Sequence, residues 1–495
     1  MKVNSEELDN YPVKNFIGKA VYNHCKPGTG KTKKIHDIIM YCLQQDLRVA
    51  VCMQQHDLIV EFRNYNNYDA IHLLGKSHFC EKHGTLEMYD PGCSECNYKQ
   101  VCGYPKQFKI LEDKQIAFIV PQHLFILDKY EFDVLIVDET IESLVYNLIE
   151  IPSDLIKHFD FEEIECSDCL IRESCSKKKY REKYGFVLGY CYNKVIKKPQ
   201  LKNFNPETLE QYFFKITMEQ LDDLYAVQVD HKWHIGGVKD MNFLDGVDTL
   251  VFNCATTDVK LAEKMFGREF NLVIEDTGNI NNDIIQVDKA MTINQTENFL
   301  PNLIDFMNMF NIPMTEETLI YSKLKFENDV VDLLTDVKHG HYGESRGTNR
   351  FEGVKFMILL GRYWLRQDHR ILLKMMGLSD EEVDKIAISE MEQAVHRARP
   401  ALYPDVKIFL ITNSLAKSEL VKPTRVEKEI SIKIASEIIQ ASFDIEGLSK
   451  TEIYHKFNHD HRDTISGLRI LNSEGWINDM DKYGARLTWQ RKPQN

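Results

Sequence analysis

The sequence predicts an α/β protein in which buried strands of parallel sheets alternate with amphipathic helices. Two observations support this prediction. A glycine-rich loop at Pro27–Thr32 lies between a short apolar stretch and a stretch with helical periodicity. Further along, the apolar run Val134–Val137 ends in two acids, Asp138 and Glu139. Apolar runs of this kind are typical of strands that are covered on both faces of a parallel sheet.

Composition places the chain among ordinary soluble proteins. Its 495 residues are enough for about three domains. The start, Met1 to Tyr11, is polar and acidic, and the longest apolar runs, such as Phe356–Leu360, are far too short to span a bilayer. We therefore expect a soluble cytoplasmic protein without a membrane partner. The net charge of −14 argues against a protein whose whole surface binds nucleic acid. It does not exclude a local basic track, in which Lys and Arg side chains are clustered.

The glycine-rich loop predicts a phosphate-binding site. The strand Ala20–Asn23 precedes it and the helical stretch Lys33–Gln45 follows it. In such a strand–loop–helix context, backbone N–H groups cradle phosphates, Lys31 reaches the β- and γ-phosphates, and Thr32 holds Mg²⁺. The loop contributes Gly28, Thr29, Gly30, Lys31 and Thr32 to the predicted nucleotide site.

The two acids after the strand Phe132–Val137 predict the other half of that site. Asp138 is suited to be the carboxylate on the Mg²⁺ side. Glu139 is suited to be the base that orients the attacking water. Because both elements occur in the right order, the sequence predicts ATP and Mg²⁺ as cofactors.

Eight of the twelve cysteines form two groups that share the spacing Cys-x2-Cys-x5-Cys. Clustered thiolates at such spacing favour a bound metal in a cytosolic chain. Each group has only one close pair of cysteines, which fits an iron–sulfur cluster at least as well as zinc. Because His78 and His83 lie beside Cys80, a mixed zinc site is also possible. Whether the two groups form one shared site or two is a second open question. The eight predicted ligands are Cys80, Cys93, Cys96 and Cys102, then Cys166, Cys169, Cys175 and Cys191.

A basic stretch overlaps the end of the second cysteine group. Residues 177 to 202 contain nine Lys or Arg side chains against one acid, Glu182, with tyrosines and a phenylalanine between them. Cations for phosphates and flat rings for bases are what single-strand binding requires, and Lys177, Lys178 and Lys179 begin this track. A solvated helix face with buried aromatics is an equal alternative.

Four later segments have the form of further motifs. The run Leu250–Thr257 is a strand that ends in hydroxyl residues, and Thr318–Ser322 is a second predicted strand. The polar loop His341–Asn349 precedes a strand at Val354–Leu360. The stretch Glu392–Pro400 lies at the end of a predicted helix and contains two arginines.

In this order the segments resemble motifs III, IV, V and VI of superfamily 2 helicases, with motifs I and II at Pro27–Thr32 and Asp138–Glu139. The cysteines between motifs Ia and II are similar to those of the iron–sulfur branch, typified by the XPD and DinG helicases. Phage and plasmid replication helicases are further relatives that this arrangement resembles. The resemblance implies an α/β fold with two RecA-like motor domains, a cysteine-rich metal insertion and a helical, basic insertion.

The resemblance also implies roles for particular residues. Arg397 and Arg399 would stabilise charge on the γ-phosphate, and Gln393 would sense that phosphate or position the water. Three residues of the polar loop would couple the nucleic-acid backbone to ATP hydrolysis; they are Arg346, Thr348 and Asn349. A surface ion pair and a plain turn are the alternatives for these two sets.

The chain ends in a predicted winged helix. Ser449 and Glu452 form a capping box at the start of one helix, and a second amphipathic helix covers about 463 to 473. Two short stretches near Ile477 and Trp489 then form the wing. Arg462 and Arg469 of the second helix are candidates for a DNA groove, although such domains also bind proteins, including replication or repair proteins.

The predicted domains follow from these positions. They are motor domain 1 (1–140 and 246–280, with the cysteine cluster at 80–102), an insertion with the second cysteine group (141–245), motor domain 2 (281–425) and the winged helix (426–495). The predicted function is an ATP-dependent DNA helicase or translocase that acts on single-stranded or forked DNA. Two alternatives stay open: an ATPase that remodels protein–DNA complexes without unwinding, and a non-enzymatic, zinc-containing DNA-binding regulator.

Overall fold

The protein divides into two compact units. In a computed structural model of the chain, the first unit combines residues 1–276 with 364–387, and the second combines residues 277–363 with 388–495. The described residues are 2–4, 11–25, 31–79, 102–138, 145–151, 155, 159–163, 195–201, 221–229, 232–239, 241–254, 257–275, 280, 282–289, 293–342, 351, 353–400, 402–415, 418, 421–480 and 485–491.

A parallel sheet forms the centre of the first unit. Its strands in the described chain are β1 (Lys2–Asn4), β2 (Ala20–His24), β3 (Val49–Met53), β4 (Ile71–His72), β5 (Ile116–Ile119), β6 (Val134–Asp138), β12 (Thr249–Asn253) and β13 (Leu272–Glu275). They lie in the order β1-β13-β2-β12-β6-β3-β5-β4, and all neighbouring pairs are parallel. The carboxyl ends of β2, β12, β6 and β3 therefore meet at one edge of the sheet.

Helices cover both faces of this sheet. They are α1 (Lys31–Gln44), α2 (His56–Asn66), α3 (Lys76–Phe79), α4 (Gly103–Asp113) and α5 (Val259–Phe266). α1 buries Ile35, Ile38, Ile39 and Cys42, which recur at helical spacing and form one apolar face. Because both faces are covered, every residue of β3 is at most 4% exposed.

The insertion between β6 and β12 was predicted to be helical, but its described residues form a second, antiparallel sheet in the first unit. Its described strands are β7 (Tyr146–Ile151), β8 (Phe159–Glu163), β9 (Val195–Leu201), β10 (Leu221–Val229) and β11 (Lys232–Lys239). They lie in the order β7-β11-β10-β9-β8. Strand β11, which lies between β7 and β10, buries Trp233, His234 and Ile235, so this part of the sheet packs against other parts of the unit.

The second unit has its own parallel sheet. Its described strands are β14 (Ile284–Asp288), β15 (Thr318–Ser322), β16 (Lys338–His341), β17 (Phe356–Leu360), β18 (Lys407–Ile411) and β19 (Arg425–Lys428), in the order β16-β15-β17-β18-β14-β19. The helices α6 (Ile293–Phe299), α7 (Leu303–Met309) and α8 (Glu327–Leu333) accompany it. An aromatic cluster of Phe306, Phe310 and Phe409 fixes α7 on the sheet, with ring centroids 4.8–5.8 Å apart.

Residues 364–387 fall within the predicted second motor domain by sequence but pack with the first unit. They contain α9 (Gln367–Met375) and the first half of α10 (Asp380–His396). Gly377, at φ +97°, turns the chain between the two helices, a conformation that glycine adopts at no steric cost. Leu373, Leu378 and Val383 are buried in the core of the first unit. Strands β10 and β11 of the antiparallel sheet contact α9.

Three helices close the second unit: α11 (Glu429–Ala441), α12 (Lys450–Phe457) and α13 (His461–Ser473). The predicted capping box of Ser449 and Glu452 is confirmed. Antiparallel bridges join Ser449 to Arg486 and Ile477 to Trp489. The indole Nε1 of Trp476 donates a hydrogen bond of 2.7 Å to the carbonyl of Met309, which fixes these helices on α7.

Several sequence predictions are confirmed by these elements. Strands lie at Ala20–His24 and Thr318–Ser322, and the helix before Arg397 ends at His396. The predicted strand Phe132–Val137 is observed as Val134–Asp138. The predicted domain boundaries at 140, 245, 280 and 425 stay predictions. In the part of the chain that the structure describes, no helix has the length and apolar character needed to cross a membrane.

Candidate nucleotide and nucleic-acid sites

Lys31 begins α1 at the carboxyl edge of the parallel sheet of the first unit. Its Nζ donates a hydrogen bond to the backbone carbonyl of Cys25, the buried residue that follows β2. The ammonium group therefore lies next to the end of β2. Thr32 is exposed on the first turn of the helix. Residues 28–30 lie outside the described residues, so their part in the phosphate cradle stays a prediction.

Asp138 is the last residue of β6, at the same edge. The four residues before it are at most 1% exposed, whereas Asp138 is half-buried. Burial raises the pKa of Asp138 above its usual range, and the Lys31 ammonium acts in the opposite direction. A divalent cation would offset the cost of keeping this carboxylate ionised. The two residues therefore fit a Mg²⁺–nucleotide complex, with the carboxylate for the metal and the ammonium for phosphate. Glu139 lies outside the described residues.

Two asparagines lie beside each other near the carboxyl ends of β2 and β12. Asn23 Nδ2 donates a hydrogen bond of 3.0 Å to Asn253 Oδ1, and both residues are at most 5% exposed. Asn253 Nδ2 and Asn23 Oδ1 are buried without a hydrogen-bond partner among the described residues. Buried amides of this kind are normally satisfied by ordered water or a ligand. Sequence reasoning did not identify this pair, because each asparagine alone is unremarkable within its strand.

A histidine cluster occupies the next part of the edge, near the ends of β3, β4 and β5. His56 Nδ1 and His72 Nε2 are 2.8 Å apart, and the rings of His56 and His123 have centroids 6.3 Å apart. Burial lowers the pKa values of His72 and His123 to about 4, and it also lowers that of His56. The cluster is therefore neutral near pH 7 and offers rings and hydrogen bonds rather than cations. Sequence reasoning missed it; the available signal was a histidine at the end of one strand and close after the ends of its two neighbours in the chain.

The predicted catalytic residues of the second unit lie at the end of α10. Gln393, Arg397 and Arg399 are half-buried, whereas His396 is 4% exposed. Arg399 adopts φ +50°, the left-handed conformation in which glycine is usual at a helix end. Its N–H donates to the His396 carbonyl at 3.0 Å. The left-handed turn thus places Arg399 outside the regular path of the helix.

A buried carboxylate holds this end of α10 in place. Glu392, 5% exposed, accepts a hydrogen bond from the hydroxyl of Ser418. The same hydroxyl accepts the backbone N–H of Val421 at 2.8 Å. The chain after β18 is therefore fastened to the helix next to Gln393, a contact that sequence reasoning did not identify.

Two cations follow neighbouring strands of the parallel sheet in the second unit. Lys323 comes directly after β15, and Arg362 comes shortly after β17. Burial, then Arg362 and then Lys325 lower the pKa of Lys323. Partly buried cations that repel one another favour an anion between them. Arg346, Thr348 and Asn349, which the sequence analysis assigned to nucleic acid, lie outside the described residues.

Most predicted metal ligands lie outside the described residues: Cys80, Cys93, Cys96, Cys166, Cys169, Cys175 and Cys191, as do the basic residues Lys177, Lys178 and Lys179. Cys102 is described and is a half-buried free thiol just before α4. Within the described ranges, no three His, Cys, Asp or Glu side chains are grouped so as to hold a metal ion. The metal site therefore stays a prediction.

The known proteins that resemble the chain are solved structures at low sequence identity. No family model and no curated protein matches the sequence. Among solved structures, Xpd4 from S. tokodaii shares 12% sequence identity over 86% of this chain and 99% of its own, with a TM-score of 0.45. The DEAD-box helicase Mss116 bound to ssRNA and UDP-BeF shares 13% over 94% and 83%, with a TM-score of 0.40. A DEAD box protein from the hyperthermophile Methanococcus jannaschii shares 11% over 85% and 89%, with a TM-score of 0.32.

These neighbours resemble the chain in fold alone. They include Xpd4 and a DEAD-box helicase, but with TM-scores of 0.32–0.45 they carry no argument about the family or the activity of this chain.

Proposed function

We propose that the protein is a nucleic-acid-stimulated ATPase that acts on DNA as a helicase or translocase. The observation that carries the proposal is the pair formed by Lys31 and Asp138, which interact electrostatically at the carboxyl edge of a parallel sheet. An ammonium group and a half-buried carboxylate in this position suit the phosphates of ATP and the Mg²⁺ that accompanies them. ATP would supply the free energy, and Mg²⁺ would neutralise phosphate charge.

Four further residues complete the proposed catalytic set. Glu139 would orient the attacking water, Gln393 would contact the γ-phosphate, and Arg397 and Arg399 would stabilise its developing charge. The left-handed backbone of Arg399 supports a functional role, because such conformations persist at non-glycine residues mainly where the surrounding structure requires them. The contact between Glu392 and Ser418 would keep this helix end in place.

Nucleic acid would follow the carboxyl edge of the second sheet. Lys323 and Arg362 favour an anion there, and a phosphate of the DNA backbone has the required charge. Arg346, Thr348 and Asn349 would contact the same backbone, while Lys177, Lys178 and Lys179 would bind the strand through the insertion. The arrangement of α11, α12, α13 and the two antiparallel bridges supports a winged helix, in which Arg462 and Arg469 are both exposed on α13.

Hydrolysis assays test the first step. Wild-type protein should hydrolyse ATP faster with single-stranded DNA than without it, and Lys31→Ala should abolish hydrolysis while DNA binding persists. Lys33→Ala is the matched control, because Lys33 is exposed on the same helical turn. A wild-type protein without nucleic-acid-stimulated hydrolysis would contradict the proposal and favour a non-enzymatic, zinc-containing regulator.

Strand-displacement assays separate unwinding from the first alternative. Forked, 5′-tailed and 3′-tailed duplexes should be opened in an ATP-dependent manner by a helicase. Hydrolysis without displacement on all three substrates would favour an ATPase that remodels protein–DNA complexes.

The cysteines support a structural 4Fe–4S cluster, which would stabilise a lobe too short for a core of its own. The expected observation is a brown preparation with broad visible absorbance and stoichiometric iron. A colourless preparation with stoichiometric zinc would overturn the iron–sulfur assignment in favour of zinc.

A further inference from the structure

A row of polar side chains crosses the parallel sheet of the first unit near its carboxyl edge. Asn23 of β2 pairs in register with Asn253 of β12. One residue earlier, Phe252 of β12 pairs with Val137 of β6. Asn253 and Asp138 are the next residues along these two strands. Because neighbouring strands lie about 4.8 Å apart, Asn253 is placed between Asn23 and the proposed Mg²⁺ ligand Asp138.

The three side chains of this row lie on the face of the sheet that α1 covers. Side chains alternate between the two faces along a strand, so each shares its face with the residue two positions earlier. Those earlier residues are Val21, Val251 and Ile136. They form one apolar core with Ile35 of α1. The row therefore lies on the same face as α1, at the edge of the sheet where that helix begins at Lys31.

The two asparagines have hydrogen-bonding groups that their own contact does not use. Asn23 Nδ2 donates to Asn253 Oδ1 at 3.0 Å. This contact leaves the Asn253 Nδ2 donor and the Asn23 Oδ1 acceptor without a hydrogen-bond partner among the described residues. The side chains are buried, so bulk solvent does not compensate for the missing bonds. Since Asn253 Oδ1 is turned toward β2 and the amide is planar, its Nδ2 is turned away from β2.

We propose that Asn253, oriented by Asn23, is a positioning residue that holds the Asp138 carboxylate for Mg²⁺ through an ordered water. The inference rests on the proposed ATPase function and adds to its nucleotide site two residues that do not touch the metal. The water accepts a hydrogen bond from Asn253 Nδ2 and donates one to a carboxylate oxygen of Asp138. The other carboxylate oxygen stays available to the metal.

An uncharged donor is well suited to this task. Carboxylates that bind a metal are normally hydrogen-bonded by neighbouring groups, and the loss of such a group weakens metal binding by roughly 10- to 100-fold. The Lys31 ammonium interacts electrostatically with Asp138, but its Nζ donates to the Cys25 carbonyl and, in the proposed function, binds phosphate. The Asn253 amide would fix the orientation of the carboxylate without competing with Mg²⁺ for its charge.

Nucleotide-binding measurements on the full chain test the inference without relying on hydrolysis. The affinity of a fluorescent, non-hydrolysable ATP analogue is measured over a series of Mg²⁺ concentrations and in EDTA. Asn253→Leu keeps the size of the side chain but removes both polar atoms. The Mg²⁺ concentration needed for half-maximal stimulation of binding should therefore rise about tenfold or more. The affinity in EDTA should stay unchanged, because the variant leaves Lys31 in place.

Thr249→Val is the matched control for this variant. Thr249 begins the same strand β12 and is also buried, and its hydroxyl accepts the Gly18 N–H at 2.8 Å. The valine therefore removes one hydrogen bond at the opposite edge of the sheet from Asp138. The Mg²⁺ requirement should not change.

A double variant keeps the test decisive if Asn253→Leu does not fold. Asn23→Leu combined with Asn253→Leu replaces both members of the polar pair by apolar groups of the same shape, a change that is nearly neutral for stability. The double variant should fold and show the same raised Mg²⁺ requirement. An unchanged requirement in either variant, or an equal rise in Thr249→Val, would overturn the inference. A wild-type protein without Mg²⁺-stimulated nucleotide binding would instead contradict the proposed function, so the two failures are distinguishable.

Discussion

Replacing Asp138 by asparagine separates the stability of the free protein from the proposed binding of Mg²⁺ and ATP. Burial raises the pKa of this carboxyl despite the nearby Lys31 ammonium, so the ionised form is disfavoured in the folded protein. For an acid of this kind, stability is lost as the pH rises from its ordinary value of 3.8 through the raised value. At pH 7.5 an uncharged asparagine should therefore leave the unliganded protein at least as stable as the wild type.

The liganded protein should respond in the opposite way. Mg²⁺–ATP at one hundred times its dissociation constant stabilises the native state by about 2.7 kcal/mol. For a large domain this corresponds to a rise in melting temperature of roughly 5 °C. Asp138→Asn should lose most of this rise, because the amide cannot provide the anionic ligand that Mg²⁺ prefers. Hydrolysis should fall by at least about a hundredfold.

Differential scanning fluorimetry with and without Mg²⁺–ATP, combined with a phosphate-release assay, measures both effects. Asp248→Asn is the matched control, since Asp248 is exposed just before the neighbouring strand β12. Two results would refute the reasoning: a full ligand-induced shift in Asp138→Asn, or a clear drop in its melting temperature without ligand. The first would remove Asp138 from the metal site, and the second would show that its charge stabilises the fold.

Three further substitutions test the second unit. Gly467→Ala should destabilise the C-terminal helices by about 1 kcal/mol in chemical denaturation. The new Cβ would lie 3.0 Å from the Ser431 carbonyl, and this overpacking outweighs the helix propensity that alanine gains. A more stable variant would contradict the close packing. Trp476→Phe should lower the free energy of unfolding by about 2 kcal/mol in the same assay, because it leaves the Met309 carbonyl without its donor. A neutral result would show that water replaces the indole. Arg399→Gly should keep its unfolding midpoint, because glycine tolerates φ +50°. It should nevertheless lower ATP hydrolysis about a thousandfold, and retained activity would exclude the arginine from catalysis.

Local signals in the sequence were sufficient for several elements. The strand at Ala20–His24, the helix that begins at Lys31 and the capping box at Ser449 each depend on a few consecutive residues. Periodicity and capping chemistry act over such short distances, so they can be read without knowing the rest of the fold. The identity of Lys31 and Asp138 as partners also followed, because strand ends in a parallel sheet share one edge.

Other features depended on which distant segments pack together. The sequence placed residues 364–387 in the second motor domain, but Leu373 and Val383 are buried in the core of the first unit. No local pattern distinguishes an apolar face that packs on its own unit from one that packs on another. The histidine cluster around His56 was equally hidden, since its members meet only when β3, β4 and β5 are aligned.

By itself the sequence determined the positions of the glycine-rich loop and of the acids at the end of β6, the capping box at Ser449 and the spacing of the cysteines, since all of these are properties of contiguous residues. Only the tertiary structure decided the pairing of His234 with Asp368, the pKa shift of Asp138 and the left-handed turn at Arg399. The physical reason is that burial and electrostatic environment are set by every segment that surrounds a group. A side chain acquires its chemistry from neighbours that the linear sequence does not specify.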